Sequence, residues 1–188
     1  MISCYWTTAL QTSGHLSKSL LSRCRRFPEY CLLLGKRTRM SGDIGTAPPE
    51  RSKCVFCKIS DGVEPSNIVH QDDEFVVFPD IRPAAPHHYL IVPRHHYIDV
   101  RHLTAQHVPM VEKMVTLSKE VLTAQGGSPT SARLGFHMPP FITVRHLHLH
   151  VIAPEQEMGF LARGIFKANS FWFVSPEAII EKLKERTS

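Results

Sequence analysis

No apolar run in this 188-residue chain approaches the roughly 20 residues that a bilayer-spanning helix needs; the longest candidate, residues 31–34, falls far short. No membrane partner is therefore expected. Cysteine is scarce and odd in number: Cys4, Cys24 and Cys31 stand in the first 40 residues, Cys54 and Cys57 beyond them. That distribution argues against a secreted disulfide framework and for reduced thiols or a metal. Acidic residues are almost missing from residues 1–40, where Glu29 faces seven basic groups, a local excess of +6. The whole chain carries +5, so the remainder sums to 5 − 6 = −1. A near-neutral body is not built to neutralise a row of phosphates, and no nucleic-acid partner is expected.

The basic, Ser/Thr/Arg-rich stretch 1–40 has the composition of an organelle transit peptide, or else of a disordered tail preceding a second start at Met40. The organisation expected is a basic leader and linker over 1–50 and one folded domain over 51–188. Its compartment is the cytoplasm and nucleus, or the mitochondrion if residues 1–40 act as an address.

The domain reads as α+β: an antiparallel sheet of about five strands with one long helix and a C-terminal helix. Residues 54–59 form a short apolar segment stopped by Asp61-Gly62. Strands are expected at 68–70 and 74–78, as a hairpin, then at 88–92, 132–136 and 146–153. Residues 104–125 carry apolar side chains at helical spacing, with Pro109 in the first turn and Gly126-Gly127 as the stop. A last amphipathic helix starts near Pro176. The aromatic stretch from Phe166 to Phe173 would pack on the core or, by preference, on a second subunit.

What is abundant is histidine: 12 residues, eleven of them from His70 onward. Three stand in strict alternation in His146-Leu147-His148-Leu149-His150-Val151-Ile152. On a strand this spacing puts the imidazoles on one face, successive rings about 7 Å apart, and the aliphatic residues on the other. Imidazole titrates near neutral pH, so such a ribbon can attack, move protons or bind metal. Cys54-x-x-Cys57 with distant histidines also permits a tetrahedral zinc site.

The run His146 to Ile152 resembles the signature of the histidine triad superfamily, and it fills every position of it. The segments 78–83 and 85–96 resemble that family's loop, strand and Pro-basic-x-His run, and 54–59 resembles its opening. Residues 134–141 are similar to its nucleotide-binding branch. The resemblance covers about residues 50 to 188 and implies hydrolysis of the P–N bond of a purine nucleoside phosphoramidate, or of an aminoacyl adenylate, to AMP. It implies His148 as nucleophile, His146 and His150 as its flanking helpers, and Thr143 at the leaving group. Asp80 and Ile81 would contact the ribose; Phe56, Ile59 and Phe78 would surround the base. Some relatives bind a structural zinc, which here implies Cys54, Cys57, His88 and His146; the reaction itself needs no metal. Homodimers or higher homo-oligomers are implied too. His87, His95, His96, His102, His107 and His137 have weaker claims, although His137 opens the loop leading back to the triad. The competing readings are a DNA-end deadenylase resembling aprataxin, and a non-catalytic nucleotide-binding or scaffold module. After His150 no cysteine or histidine remains to build a C-terminal zinc module.

Overall fold

A computed structural model of the protein describes residues 49–186. Residues 1–48 of the expected leader and linker, with Cys4, Cys24 and Cys31, lie outside the described residues. Two short helices come first, α1 (Pro49–Lys53) and α2 (Val55–Ser60), so helix begins inside the stretch expected as linker. They are followed by β1 (His70–Gln71), β2 (Phe75–Pro79), β3 (His87–Pro93), the long helix α3 (Val108–Ala124), β4 (Arg133–His137) and β5 (Leu149–Ala153). The chain ends with α4 (Phe160–Ile165), β6 (Phe173–Val174) and α5 (Pro176–Glu185). The α+β class is as expected. The antiparallel sheet has six strands rather than about five, in the order β1-β2-β3-β5-β4-β6. The additional strand is β6, which pairs only two residues with β4 and has no alternation long enough to read in sequence.

Alternation along the strands divides the interior in two. Phe75 and Val77 of β2, Tyr89 and Ile91 of β3, and Leu149 and Val151 of β5 join Met114 and Leu122 of α3 and Leu183 of α5 in the main core. Val76, Phe78, Leu90 and Val92 face the other way, against Cys54, Phe56, Cys57 and Ile59. Helix α3 has Pro109 in its first turn, where a missing N–H costs nothing. It stops at Gly126, whose φ of +80° is the left-handed conformation that glycine adopts without a Cβ clash. Helix α5 starts at Ser175, whose hydroxyl accepts from the Ala178 N–H at 3.4 Å.

The expected strand 146–153 begins three residues late, at Leu149. The reason lies in its neighbour: β3 ends at Pro93, which has no N–H to offer a ladder. The Pro93 carbonyl is taken by the His146 ring at 2.8 Å, and the Leu147 N–H turns to the Tyr97 carbonyl at 2.7 Å. Of the aromatic stretch, Phe166 and Phe173 are buried on this chain's own core while Phe171 is exposed.

Gly135 of β4 stands opposite His150 and lies beneath the Phe173 ring; a Cβ there would meet ring carbons at 2.3 and 2.4 Å. Phe173 is fully buried and has nowhere to retreat. Gly135→Ala is expected to destabilise the domain by about 1–3 kcal/mol, the cost of overpacking. Chemical denaturation would show a lower midpoint; an unchanged midpoint would contradict the packing described.

Candidate functional site

His146, His148 and His150 are all buried, and they share the sheet face opposite the main core, while Leu147, Leu149 and Val151 enter that core. The two-faced reading of the motif holds even though only His150 lies within β5 proper. Each ring's protonation pattern follows from its partners, because a carbonyl oxygen only accepts.

His148 Nδ1 lies 2.6 Å from the His146 carbonyl, so Nδ1 carries the hydrogen and Nε2 keeps a free lone pair. The ring is steadied edge-on by Phe56, centroids 5.2 Å apart. Burial lowers its pKa, with the His146 carbonyl opposing, so the ring stays neutral and nucleophilic near pH 7.

On one side of His148 runs a relay. The Ala84 N–H donates to His88 Nδ1 at 3.0 Å, so His88 must hold its hydrogen on Nε2, which lies 3.0 Å from His150 Nδ1. His150 therefore accepts at Nδ1 and carries its own hydrogen on Nε2. That Nε2 is the one buried side-chain polar atom without a hydrogen bond among the described residues. A buried donor left open is costly, about 1–3 kcal/mol, and a ligand acceptor would repay it. Asp80 Oδ2 stands 3.5 Å from His88 Nε2 and 3.8 Å from His150 Nδ1, while Oδ1 accepts from the Arg82 N–H at 2.8 Å. The carboxylate expected at a ribose thus also borders this relay. The β2–β3 register, with Pro79 opposite Tyr89, brings Asp80 and His88 together.

On the other side, His146 donates Nε2–H to the Pro93 carbonyl, which leaves Nδ1 as an acceptor 3.4 Å from both Cys54 Sγ and Cys57 Sγ. The fourth member of this cluster is His96, Nδ1 3.2 Å from Cys57 Sγ. His88, expected here, is bound up in the relay instead. It sits at the start of β3, whereas His96 lies just past Pro93 at the other end, where its ring meets Cys57 of α2. The ligand separations of 3.2 to 3.4 Å are close to the edges of a tetrahedron with bonds of about 2.0–2.3 Å, so the four side chains fit zinc. Burial and the adjacent Cys54 push the Cys57 thiol up to about 12, so without a cation this thiol stays protonated.

The remaining expected residues are spread around this face. Phe56, Ile59 and Phe78 are buried, with the Phe56 and Phe78 rings 5.4 Å apart. Ile81 is 95 % exposed and contributes no packing. Thr143 is exposed on the loop before His146 and lines a 410 Å³ cavity with Lys53, Cys54, His96 and Arg145. A larger cavity of 700 Å³ lies between the β1–β2 turn and α3 and is lined by none of the triad. Its acidic rim of Asp72, Glu74 and Glu112 suits no phosphate. His96 and the Asp80–His88–His150 relay were missed or misplaced in sequence; only the β2–β3 register, with the turn after Pro93, could have placed them.

Residues 53–165 match the family model described as scavenger mRNA decapping enzyme C-term binding. The chain is 43% identical over 137 residues to the adenosine 5'-monophosphoramidase HINT3 of Mus musculus, covering 71% of this chain and 83% of that protein. It is 42% identical over 133 residues to the protein of that name from Xenopus tropicalis, covering 70% of this chain and 87% of the relative. Among solved structures it is similar to a HIT family hydrolase from Legionella pneumophila Philadelphia 1, with a TM-score of 0.52 and 32% identity over 55% of this chain and 94% of that one.

Burial holds the His88 pKa down to about 4, below its ordinary 6.5, with Asp80 opposing. The unfolded chain takes up that proton as pH falls below about 6.5, whereas the folded chain resists until about 4. Stability from this group is therefore complete above neutrality and drains away across that window, by on the order of 3 kcal/mol. Urea midpoints measured from pH 7 to pH 4 are expected to fall less steeply in His88→Asn than in the wild type. Parallel curves would contradict a neutral, buried His88.

Proposed function

The chain belongs to the histidine triad superfamily, and on that premise we propose that it is a nucleotide phosphoramidase, cleaving the P–N bond of adenosine 5'-monophosphoramidate and related purine nucleotides to AMP. One observation carries the reading: a neutral His148 whose Nε2 lone pair is free, beside a His150 Nε2–H that is buried and has no protein partner. A nucleophile and an unused donor on one strand face suit an electrophile bearing oxygen anions. The names of the relatives support the substrate class.

In the first step His148 Nε2 bonds to the α-phosphorus and the P–N bond breaks, its electron pair leaving with the amine, which takes a proton from solvent. His150 Nε2–H donates to a phosphoryl oxygen as charge builds there, where a fixed donor in a dry site counts most. The hydrogen bond to His146 disperses the positive charge that His148 acquires. In the second step water bonds to phosphorus and the pair of the P–Nε2 bond returns to His148. Dividing one hard displacement into two easier ones is the benefit of covalent catalysis.

Phe56, Ile59 and Phe78 would offer the base an apolar wall, and Asp80, besides steadying the relay, a carboxylate for ribose hydroxyls. The Thr143 hydroxyl would meet the leaving amine. Zinc on Cys54, Cys57, His96 and His146 would act structurally, tying α2 to the sheet and holding the His146 ring; the P–N cleavage is not routed through it. A non-catalytic nucleotide-binding module would retain the pocket and lose only the turnover.

Rapid acid-free quenching of wild-type protein with adenosine 5'-monophosphoramidate is expected to give a nucleotidyl adduct by intact mass, and His148→Ala to lose both adduct and turnover by at least about 10³-fold. Nucleotide binding without turnover by the wild type would favour the module. Separately, metal analysis is expected to find about one zinc per chain, lost in His96→Ala and kept in His88→Ala. Native protein free of metal, with a melting temperature unmoved by chelator, would remove zinc from the proposal.

A further inference from the structure

The catalytic face holds a histidine that the steps above do not use. The β4–β5 register pairs Leu134 with Val151 and Gly135 with His150. The pairing stops there, since His148 precedes β5, but His137, the last residue of β4 and two positions beyond Gly135, keeps the Gly135 face, which is that of His150. The ring contacts agree: the His137 centroid is 5.0 Å from that of His150 and 5.0 Å from that of Phe173. The ring is anchored at one end. Its Nδ1 lies 3.2 Å from the Trp172 carbonyl, so Nδ1 carries the hydrogen and Nε2 the lone pair. No hydrogen bond from the described residues reaches that Nε2, and unlike His150 Nε2 it is not sealed from solvent. The result is a half-buried imidazole, its tautomer fixed by a backbone carbonyl and its basic nitrogen open to solvent, on the face that holds His150.

We propose that His137 is a further catalytic residue, the general base that takes the proton from the water hydrolysing the nucleotidyl-His148 intermediate. It rests on the two-step reading above. The water oxygen bonds to phosphorus and one water proton passes to His137 Nε2. The P–Nε2 bond to His148 breaks, its electron pair returning to His148, and AMP leaves. His137, now an imidazolium with its Nδ1–H still on Trp172, gives the proton up to solvent through its open edge. The groups facing it are His150 from β5, His148 just before that strand, His88 from β3 and Asp80 after β2. From the C-terminal segment it meets Phe166, Phe173 and the Trp172 carbonyl, none of which titrates. Burial lowers the His137 pKa, against the Trp172 carbonyl and Asp80, so the ring is unprotonated near neutrality and ready to accept.

The test separates formation of the adduct from its breakdown. With an adenosine phosphoramidate bearing an aromatic amine, a good leaving group, His137→Gln is expected to form the nucleotidyl adduct at close to the wild-type rate. Its hydrolysis should slow by roughly 10²-fold or more, the usual worth of a general base, so that adduct accumulates in the quenched mass spectrum. In His137→Ala, free imidazole in the buffer should restore hydrolysis in proportion to its concentration, which a packing role would not produce. AMP binding by both variants checks that they fold. Hydrolysis of the adduct at the wild-type rate in both variants, or slowed hydrolysis that imidazole leaves unmoved, would overturn the assignment while leaving the phosphoramidase reading intact. Absence of any adduct or turnover in the wild type would instead overturn that reading and this assignment with it.

Discussion

The 2.6 Å hydrogen bond from the His148 ring to the His146 carbonyl governs the rest of this site. Imidazole has two nitrogens and, when neutral, one hydrogen; whichever nitrogen is spent on the carbonyl leaves the other as nucleophile. The bond exists because the chain before Leu149 is not in the ladder. Were His146 and His148 held in regular β pairing, the His146 carbonyl would be committed to a neighbouring strand. The β3–β5 ladder ends at Ile91 and Leu149; past it Pro93 offers no N–H, and the Leu147 N–H turns to the Tyr97 carbonyl instead.

Burial completes the effect. Four histidines and two thiols are packed against Phe56, Phe78 and Phe166, and the cost of burying so many polar groups is met by pairing nearly all of them. The relay through Ala84, His88 and His150 runs in one direction, since reversing it would require His88 to accept at both nitrogens. It ends in a donor with no protein partner. On the opposite flank the thiol cluster fixes His146 from its other nitrogen. His148 is flanked by two networks: one ends in the open His150 Nε2–H, and the other occupies both nitrogens of the His146 ring.

Much of this could be read in the chain, and the part that could not has a common cause. Strict alternation of His146, His148 and His150 with aliphatics announced the two-faced strand, because period two is a property of neighbouring residues. The long helix and its Gly126 stop were legible for the same reason. The resemblance implies His88 at the metal cluster and leaves His96 aside, although they lie only eight positions apart. Which of them meets the thiols depends on where β3 ends and how the chain turns afterwards, a tertiary fact. Asp80 joins the relay through β2–β3 register, and His137 meets the His150 ring through the pairing of β4 with β5. Neither pairing leaves a local trace. The late start of β5 was likewise invisible, since it is imposed by Pro93 in another strand.

The central claim is that phosphorus passes through a covalent bond to His148 before water reaches it. Its most direct test is the stereochemical course at phosphorus, followed with a phosphoramidate made chiral by sulfur and heavy-oxygen substitution. Two successive in-line displacements, one by the imidazole and one by water, predict overall retention of configuration. Inversion would mean a single attack by water, with the buried histidines only positioning the substrate, and would contradict the role given to His148.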